Sequence, residues 1–409
     1  GGDGEGAHGL AGGRGREEPV RGRRGDCVPG DWEGFKMRVV SIYSSYYPER
    51  GGIQNVIRFV SERLQSVGHS TQVICLTDDG VSSHEIINGV EVYRIADKYY
   101  PYLYGYSVKF RSFFFNNKPV FDQADVIHVH GYASLLSWQV IRLLNSQGYS
   151  SKLIFTPHYE GIGFSRFRNL LHVPYKYLAK SSFEYPELIT CVSEYEKKNI
   201  LRHLQINPHK IKVIANGINY PVPHEITVKN LNKKSINILF VGRLERKKGI
   251  QYLLRALSIL DHEDDLKISL FLVGEGSYAD DLKNMSSELG LSNVHVMGRI
   301  SDDELDSLYR LSDIFVLLSQ SEAYGIVVAE ALAHGLITIV SNTTALSEFV
   351  EEAGCIGVDY PPDVNEVAAL IKTLVGREVV VGPFNNKKIR NWTAVAKEYE
   401  KCYRTIIEK

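Results

Sequence analysis

From Met37 onward the chain alternates two hydrophobic periodicities, and this alternation restricts the fold more than any other feature. Short runs rich in Val, Ile and Leu at 39–42, 72–76, 90–95, 126–129, 153–155 and 188–192 read as strands. Between some of them lie segments with apolar residues at helical spacing. Residues 52–67 carry Ile53, Val56, Ile57, Val60 and Leu64 on one stripe, and 135–145 reads as another helix. Alternating strand and helix builds a parallel sheet covered on both faces. A polar, proline-bearing stretch at 221–234 reads as a linker, after which the pattern restarts. Strands are expected at 236–241, 268–273, 294–297, 314–318 and 337–340, and helices at 249–260, 278–289, 302–311 and 328–334. A length of 409 residues suits two domains at roughly 100–200 residues each. The expected class is therefore α/β, with two doubly wound Rossmann-like units at 37–221 and 222–390. Ligands in such sheets bind beyond the carboxyl ends of the strands, so two facing units make a cleft. A final helical stretch, 392–408, puts Val395, Tyr399, Tyr403 and Ile406 on one stripe that can pack back on either unit.

Residues 1–36 are rich in Gly and Arg and lack the apolar centre of a signal peptide. They are expected to be a disordered tail. A net charge of −1 favours neither nucleic acid nor an acidic partner. Five scattered cysteines show no metal-ligand spacing and suit a reducing compartment, so a cytoplasmic location is expected. No apolar run is long enough to span a bilayer, at about 20 residues.

The strongest local signal is 321–335, SEAYGIVVAEALAHG. Glu322 and Glu330 flank Gly325 where a strand gives way to a helix. Free main-chain N–H groups at Tyr324, Gly325, Ile326 and Val327 would suit a phosphate, aided by the helix dipole. Glu330, further along the helix, can accept from ribose hydroxyls, and Glu322 can hold sugar hydroxyls. By spacing alone the same pattern is equally an ordinary helix with a surface glutamate. Arg243, Lys247 and Lys248 follow the first strand of the second unit, in Gly242-Arg243-Leu244-Glu245-Arg246-Lys247-Lys248-Gly249. They suit a diphosphate, or form a solvated basic loop. Gly51-Gly52 and Gly274-Glu275-Gly276 permit close ligand approach, and alone read equally as turns. His158, in Thr156-Pro157-His158, follows the 153–155 strand and so points at the cleft, whereas His128 reads as structural. Paired aspartates such as Asp302-Asp303 read as helix starts, with Ser301 and Glu304 forming a capping box, and no metal site is expected. Aromatic and basic residues mix at 98–115 and 166–180, as at a bilayer interface or an anionic acceptor site, or in plain helix packing with a solvated face.

Together these residues resemble the retaining, GT-B-fold glycosyltransferases of family 4 (glycosyl transferases group 1). The likeness runs from about Met37 to the C-terminus. It rests on the order of Gly51-Gly52, the His130 strand end, Thr156-Pro157-His158, Cys191-Val192-Ser193-Glu194, Asn216-Gly217-Ile218, Gly242-Arg243-Leu244 with Lys247-Lys248-Gly249, Gly274-Glu275-Gly276 and the Glu322/Glu330 pair. The resemblance implies that the last helix, 391–409, crosses back to the first domain. It implies that Arg243 and Lys248 neutralise the diphosphate of a UDP- or GDP-sugar without metal, and that Glu330 binds ribose. Gly298, Arg299 and Ile300 would meet the base. Glu322 and His158 would hold the sugar, and Gly51-Gly52 would contact the donor from the acceptor side. The acceptor would be a glycan or lipid hydroxyl, with peripheral membrane contact through 98–115 and 166–180 and a location on the inner face of the membrane.

Two departures stand out. Gly335 is followed by Leu336 where the family often has Pro. The segment Asn342-Thr343-Thr344-Ala345-Leu346-Ser347-Glu348 carries no glycine where a Gly-Gly pair is usual beside the donor sugar. Alternative readings are a non-catalytic sugar-nucleotide-binding subunit and a nucleotide-sugar epimerase on the same fold. The joint presence of His158, Arg243, Lys248 and Glu322 argues against a binding subunit.

Overall fold

The structure, a computed structural model, describes residues 35–49, 51–97, 106–161, 179–223, 225–231, 235–260, 266–385 and 387–409. The tail expected at 1–36 lies outside the described residues except for Phe35 and Lys36, and so do residues 98–105 and 166–178 of the two aromatic-basic stretches.

Sixteen strands are described: β1 (Arg38–Ile42), β2 (Ser70–Thr77), β3 (Ser83–Ile87), β4 (Val90–Ala96), β5 (Val126–His130), β6 (Leu153–Thr156), β7 (Leu188–Cys191), β8 (Ile211–Val213), β9 (Thr227–Asn230), β10 (Ser235–Val241), β11 (Lys267–Val273), β12 (Val294–Gly298), β13 (Ile314–Leu317), β14 (Ile337–Ser341), β15 (Cys355–Val358) and β16 (Glu378–Val381). The first sheet runs β3-β4-β2-β1-β5-β6-β7-β8 and the second β12-β11-β10-β13-β14-β15. The second sheet is parallel throughout, and its order is that of the doubly wound dinucleotide-binding fold. The first is parallel except where β3 pairs antiparallel with β4. The central strands β5, β6, β13 and β14 are buried along their whole length. That is why they read as continuous apolar runs rather than alternating ones.

Three elements depart from the periodicity. The β3–β4 hairpin turns at Asn88 and Gly89, whose φ values of 50° and 85° are both positive, as a tight two-residue hairpin turn requires. β3 is almost wholly exposed, so no apolar alternation marks it. The stretch expected to be a linker, 221–234, contains β9, which pairs antiparallel with β16 in a separate ribbon, Val228 opposite Val380. Its partner lies about 150 residues away in sequence, beyond any local pattern.

The terminal helix, Trp392–Ile407, starts at Asn391, whose side chain accepts from Ala394 N at 2.9 Å. Its stripe of Val395, Tyr399, Tyr403 and Ile406 is buried. It packs on the helix Gly52–Ser66, with Phe59 and Trp392 5.3 Å apart. Tyr403 OH bonds His128 Nδ1 on β5 at 2.9 Å. The last helix therefore crosses back onto the first sheet. No helix among the described residues is long and apolar enough to cross a membrane.

Candidate active site

In each sheet the connections leave in opposite directions from two neighbouring strands, β1 and β5 in the first, β10 and β13 in the second. The crevice beyond their carboxyl ends is where such sheets bind ligands. Gly51-Gly52 follow β1, His130 ends β5, Arg243 and Lys248 follow β10, and Glu322 follows β13.

In the second half two loops are stitched together. Gln320 N donates to Lys247 O at 2.8 Å, and Ser341 Oγ to Ser319 O at 2.6 Å. Gly249, at φ 78°, packs so closely that a β-carbon would run into Leu318 O. This brings Lys248 Nζ to 2.5 Å from Glu322 Oε1, with the two side chains only 12% and 13% exposed. Arg243 is exposed and pairs with Glu245 in its own loop at 2.7 Å. Gly325 starts the helix Ile326–Ala333 at φ 105°, where a β-carbon would sit 2.9 Å from Leu346 Cδ2. The first turn, with Ile326 and Val327, leaves main-chain N–H groups without intrahelical partners. Tyr324 turns its ring into the core against Phe349 and donates its hydroxyl to Lys388 O, so only its main chain faces outward. Glu330 is half-buried and accepts from Tyr309 OH at 3.0 Å, and burial pushes its carboxyl up to about 7. The expected capping box closes: Glu304 N donates to Ser301 Oγ and Ser301 N to Glu304 Oε2. At the ends of β11 and β12, Gly274 N donates to Gly298 O at 2.8 Å. Ile300 packs on the second core, while exposed Arg299 reaches across to Pro48 O at 3.4 Å.

In the first half, β6 delivers His158 at φ 51°, a backbone region that residues with a β-carbon rarely adopt. Its Nε2 is buried without a partner among the described residues, and its ring stacks on His130 with centroids 5.8 Å apart. Burial pushes both His158 and His128 down to about 3, so both are neutral near pH 7. His128 is fully engaged, by Tyr403 and by Thr156 Oγ1 at 2.6 Å, as a structural residue should be. An orphaned ring nitrogen on a strained backbone marks a functional position better than the strand end alone.

The halves meet at the site. Glu160, two residues beyond His158, pairs with Lys247 at 3.5 Å. Ser193 Oγ donates to Ala323 O at 2.8 Å, beside Glu322. Tyr195 N donates to Glu348 Oε1 at 2.6 Å. Lys248 and Glu322 are thus in contact, and the His158 loop lies against the Lys247–Lys248 loop. No hydrogen bond or ion pair joins His158 to Glu322, Lys248 or Arg243 among the described residues, and Glu330 contacts its own side of the second half. Arg299 meets the first half at Pro48, in the loop after β1. Among the described residues no three His, Cys, Asp or Glu side chains cluster to hold a metal ion.

The arrangement offers cations, a helix N-terminus and buried carboxylates around an interdomain cleft. Two family models divide the chain between them. Residues 50–220 match Glycosyltransferase Family 4 and residues 223–391 match Glycosyl transferases group 1. The chain belongs to the family 4 glycosyltransferases. Its two sheets are the two Rossmann-like halves of a GT-B transferase, as the resemblance implied. An uncharacterised glycosyltransferase of Methanocaldococcus jannaschii is 29% identical over 395 residues, 88% of this chain and 97% of the relative. The phosphatidylinositol N-acetylglucosaminyltransferase GPI3 subunit of Saccharomyces cerevisiae is 23% identical, covering 91% of this chain and 83% of that one. Two solved structures share the fold. Sucrose-phosphate synthase of Thermosynechococcus elongatus superposes with a TM-score of 0.68 at 20% identity, over 91% of this chain and all of that one. The UDP-forming trehalose-phosphate synthase of Burkholderia xenovorans superposes with 0.66 at 14% identity, over 90% of this chain and all of that one.

The transferase also holds residues that sequence reasoning passed over. The glycine-free segment keeps a left-handed residue: Thr344 has φ 52°, and its Oγ1 accepts from Glu322 N at 3.1 Å. A β-branched residue there is a genuine outlier, and nothing in local sequence announces it. Glu196 is fully buried beside the His158 loop. Its one sequence signal is the Ser193-x-x-Glu196 spacing of a helix start.

Proposed function

We propose that the transferase moves a sugar from a UDP- or GDP-linked donor to a hydroxyl of a lipid or glycan acceptor, with retention of anomeric configuration and without a metal ion. The observation that carries this reading is the Lys248–Glu322 pair, held at the mouth of the helix Ile326–Ala333 and facing the His158 loop across the Lys247–Glu160 contact. A donor diphosphate fits the N-terminal end of that helix, where main-chain N–H groups and the helix dipole favour an anion. Lys248 would bridge Glu322 and the diphosphate, and exposed Arg243 would exchange Glu245 for a phosphate oxygen. These cations act most strongly as charge builds on the departing phosphate, so they lower the barrier more than they tighten ground-state binding.

In the reaction the bond from the anomeric carbon to the phosphate oxygen breaks and the bond to the acceptor oxygen forms on the same face. The acceptor proton passes to the departing phosphate. Glu322 would accept from a sugar hydroxyl. His158, neutral, would offer its Nε2 to another. Glu330 would accept from ribose. Gly298, Arg299 and Ile300 would border the base, and Gly51-Gly52 the acceptor side. The donor domain would comprise 222–390 and the acceptor domain 37–221.

A lipid acceptor is supported by the yeast relative, whose name specifies phosphatidylinositol. It is also supported by exposed Phe115 and Val108 near Lys109 and Arg111 on the first half. On this reading the transferase works peripherally at the cytoplasmic face of a membrane. A donor screen tests the proposal: UDP-glucose, UDP-N-acetylglucosamine and GDP-mannose are incubated with native lipid and polysaccharide extracts, and products are read by mass spectrometry. A hexosyl or N-acetylhexosaminyl mass added to a lipid or glycan, with nucleoside diphosphate released, is the expected result. Binding of these donors without turnover on any acceptor would overturn it.

A further inference from the structure

Glu196 sits in the first turn of the helix Glu194–Leu204 with its side chain wholly buried. Ser193-x-x-Glu196 has capping-box spacing, and Ser193 Oγ does accept from Glu196 N, at 3.1 Å. In a capping box the glutamate returns to the N-cap amide, as Glu304 does with Ser301 N at 2.8 Å. Glu196 takes a different course. Its Oε2 accepts from Val192 N and its Oε1 from Tyr159 N, both at 2.6 Å. No cation is ion-paired with it among the described residues. A carboxyl group withdrawn from water without a counter-ion is a costly way to start a helix, and a hydroxyl already caps this one.

What the carboxyl group gains is a grip on the residue after His158. Tyr159 is held at both ends of this helix, its amide by Glu196 and its hydroxyl by His203 Nδ1 at 3.1 Å. His158 keeps its left-handed backbone under that constraint. The same helix start reaches the other half through Ser193 to Ala323 and through Tyr195 to Glu348. One hydrogen-bonded chain therefore runs from Ala323, beside Glu322, through Ser193 and Glu196 to Tyr159, beside His158.

We infer that Glu196 is a positioning residue that sets His158 against the Glu322 side of the cleft. The inference rests on the reading that His158 meets the donor sugar. A glutamine of the same shape presents one acceptor oxygen and one donor amide, so it cannot accept from both N–H groups. The test uses the full chain and four variants: E196Q, E196D, H158A and the double variant H158A/E196Q. The readouts are nucleoside diphosphate release from the most active donor among UDP-glucose, UDP-N-acetylglucosamine and GDP-mannose, and calorimetric affinity for UDP and GDP.

E196Q should lower kcat at least tenfold while nucleotide affinity stays within twofold, because the nucleotide side is built by the other half. H158A/E196Q should be no slower than H158A alone, since a residue acting through His158 has nothing left to position. Retained nucleotide affinity also reports a folded variant; if E196Q does not fold, E196D, whose shorter side chain cannot span both amides, carries the same comparison. Either a wild-type kcat in both Glu196 variants, or a double variant slower than H158A by the full E196Q factor, would overturn the inference. A near-normal H158A would instead remove the reading of His158 itself, and this inference with it.

Discussion

Lys248→Met keeps the length of the side chain and deletes its charge, which separates two contributions of the Lys248–Glu322 pair. Nζ and Oε1 are 2.5 Å apart and both side chains are nearly covered. At an effective dielectric constant near 20, unit charges about 3 Å apart attract by roughly 5–6 kcal/mol. Desolvation of both groups offsets much of that. Deleting one partner of a buried pair costs about 3–5 kcal/mol, and the residual exposure here argues for about 3. Across a unit of about 170 residues that lowers the melting temperature by about 8 °C. Turnover should fall much further, by about 10²–10³-fold, the usual cost of removing one group that meets charge developing in the transition state. The double variant Lys248→Met/Glu322→Gln removes the stranded carboxylate as well. It should recover most of the lost stability and none of the turnover. Thermal melts followed by circular dichroism and a nucleoside diphosphate release assay read the two effects separately. A Lys248→Met protein that melts like the wild type refutes the energetic pairing. One that turns over within threefold of wild type refutes the role at the diphosphate.

Buried titrating groups set the pH profile of stability. His128, His130 and His158 are held below their ordinary range by burial, so below about pH 6.5 the unfolded chain binds three protons that the folded chain refuses, and stability drops as the pH is lowered. Glu330, pushed up to about 7, acts oppositely: its folded form holds a proton above about pH 4.5 that the unfolded chain releases. Between about pH 4.5 and 6.5 Glu330 therefore offsets about one of those three protons. Glu330→Gln should steepen the slope between pH 5 and 6.5 by about 1.4 kcal/mol per unit in urea titrations, and an unchanged slope would count against a proton held there. Gly325→Ala forces a β-carbon into a left-handed position against Leu346 and should cost on the order of 1–2 kcal/mol, with weaker UDP or GDP binding by calorimetry; wild-type values for both would show that the turn tolerates a side chain. Chelation with EDTA should leave turnover unchanged, and complete loss restored by added Mg²⁺ would contradict metal-free departure of the diphosphate.

The places of several candidate residues in the fold were legible in the sequence. Arg243, Lys248, Glu322 and Glu330 could be assigned to strand ends and a helix start because each lies within a few residues of a periodic element, so its position follows from local geometry. The relations among them were not legible. Lys248 and Glu322 are 74 residues apart and meet only because β10 and β13 are neighbours. Glu196 carries no distinguishing local signal, because the capping spacing is the same whether the carboxyl group turns back or crosses to Tyr159. The glycine-free segment 342–348 gave no sign that Thr344 takes a left-handed backbone and accepts from Glu322 N.

By itself the sequence determined the repeating strand–helix order, the two doubly wound units and the strand ends that carry charged and glycine-rich loops. These depend on periods of two and about 3.6 residues, which a short window contains. Tertiary structure alone decided that β9 pairs with β16, that the last helix lies on the first sheet, and that Glu196 holds the amide of Tyr159 while Ser193 reaches Ala323 in the second half. Those outcomes depend on which distant surfaces bury each other and which buried polar groups find partners, and no window of neighbouring residues holds that information.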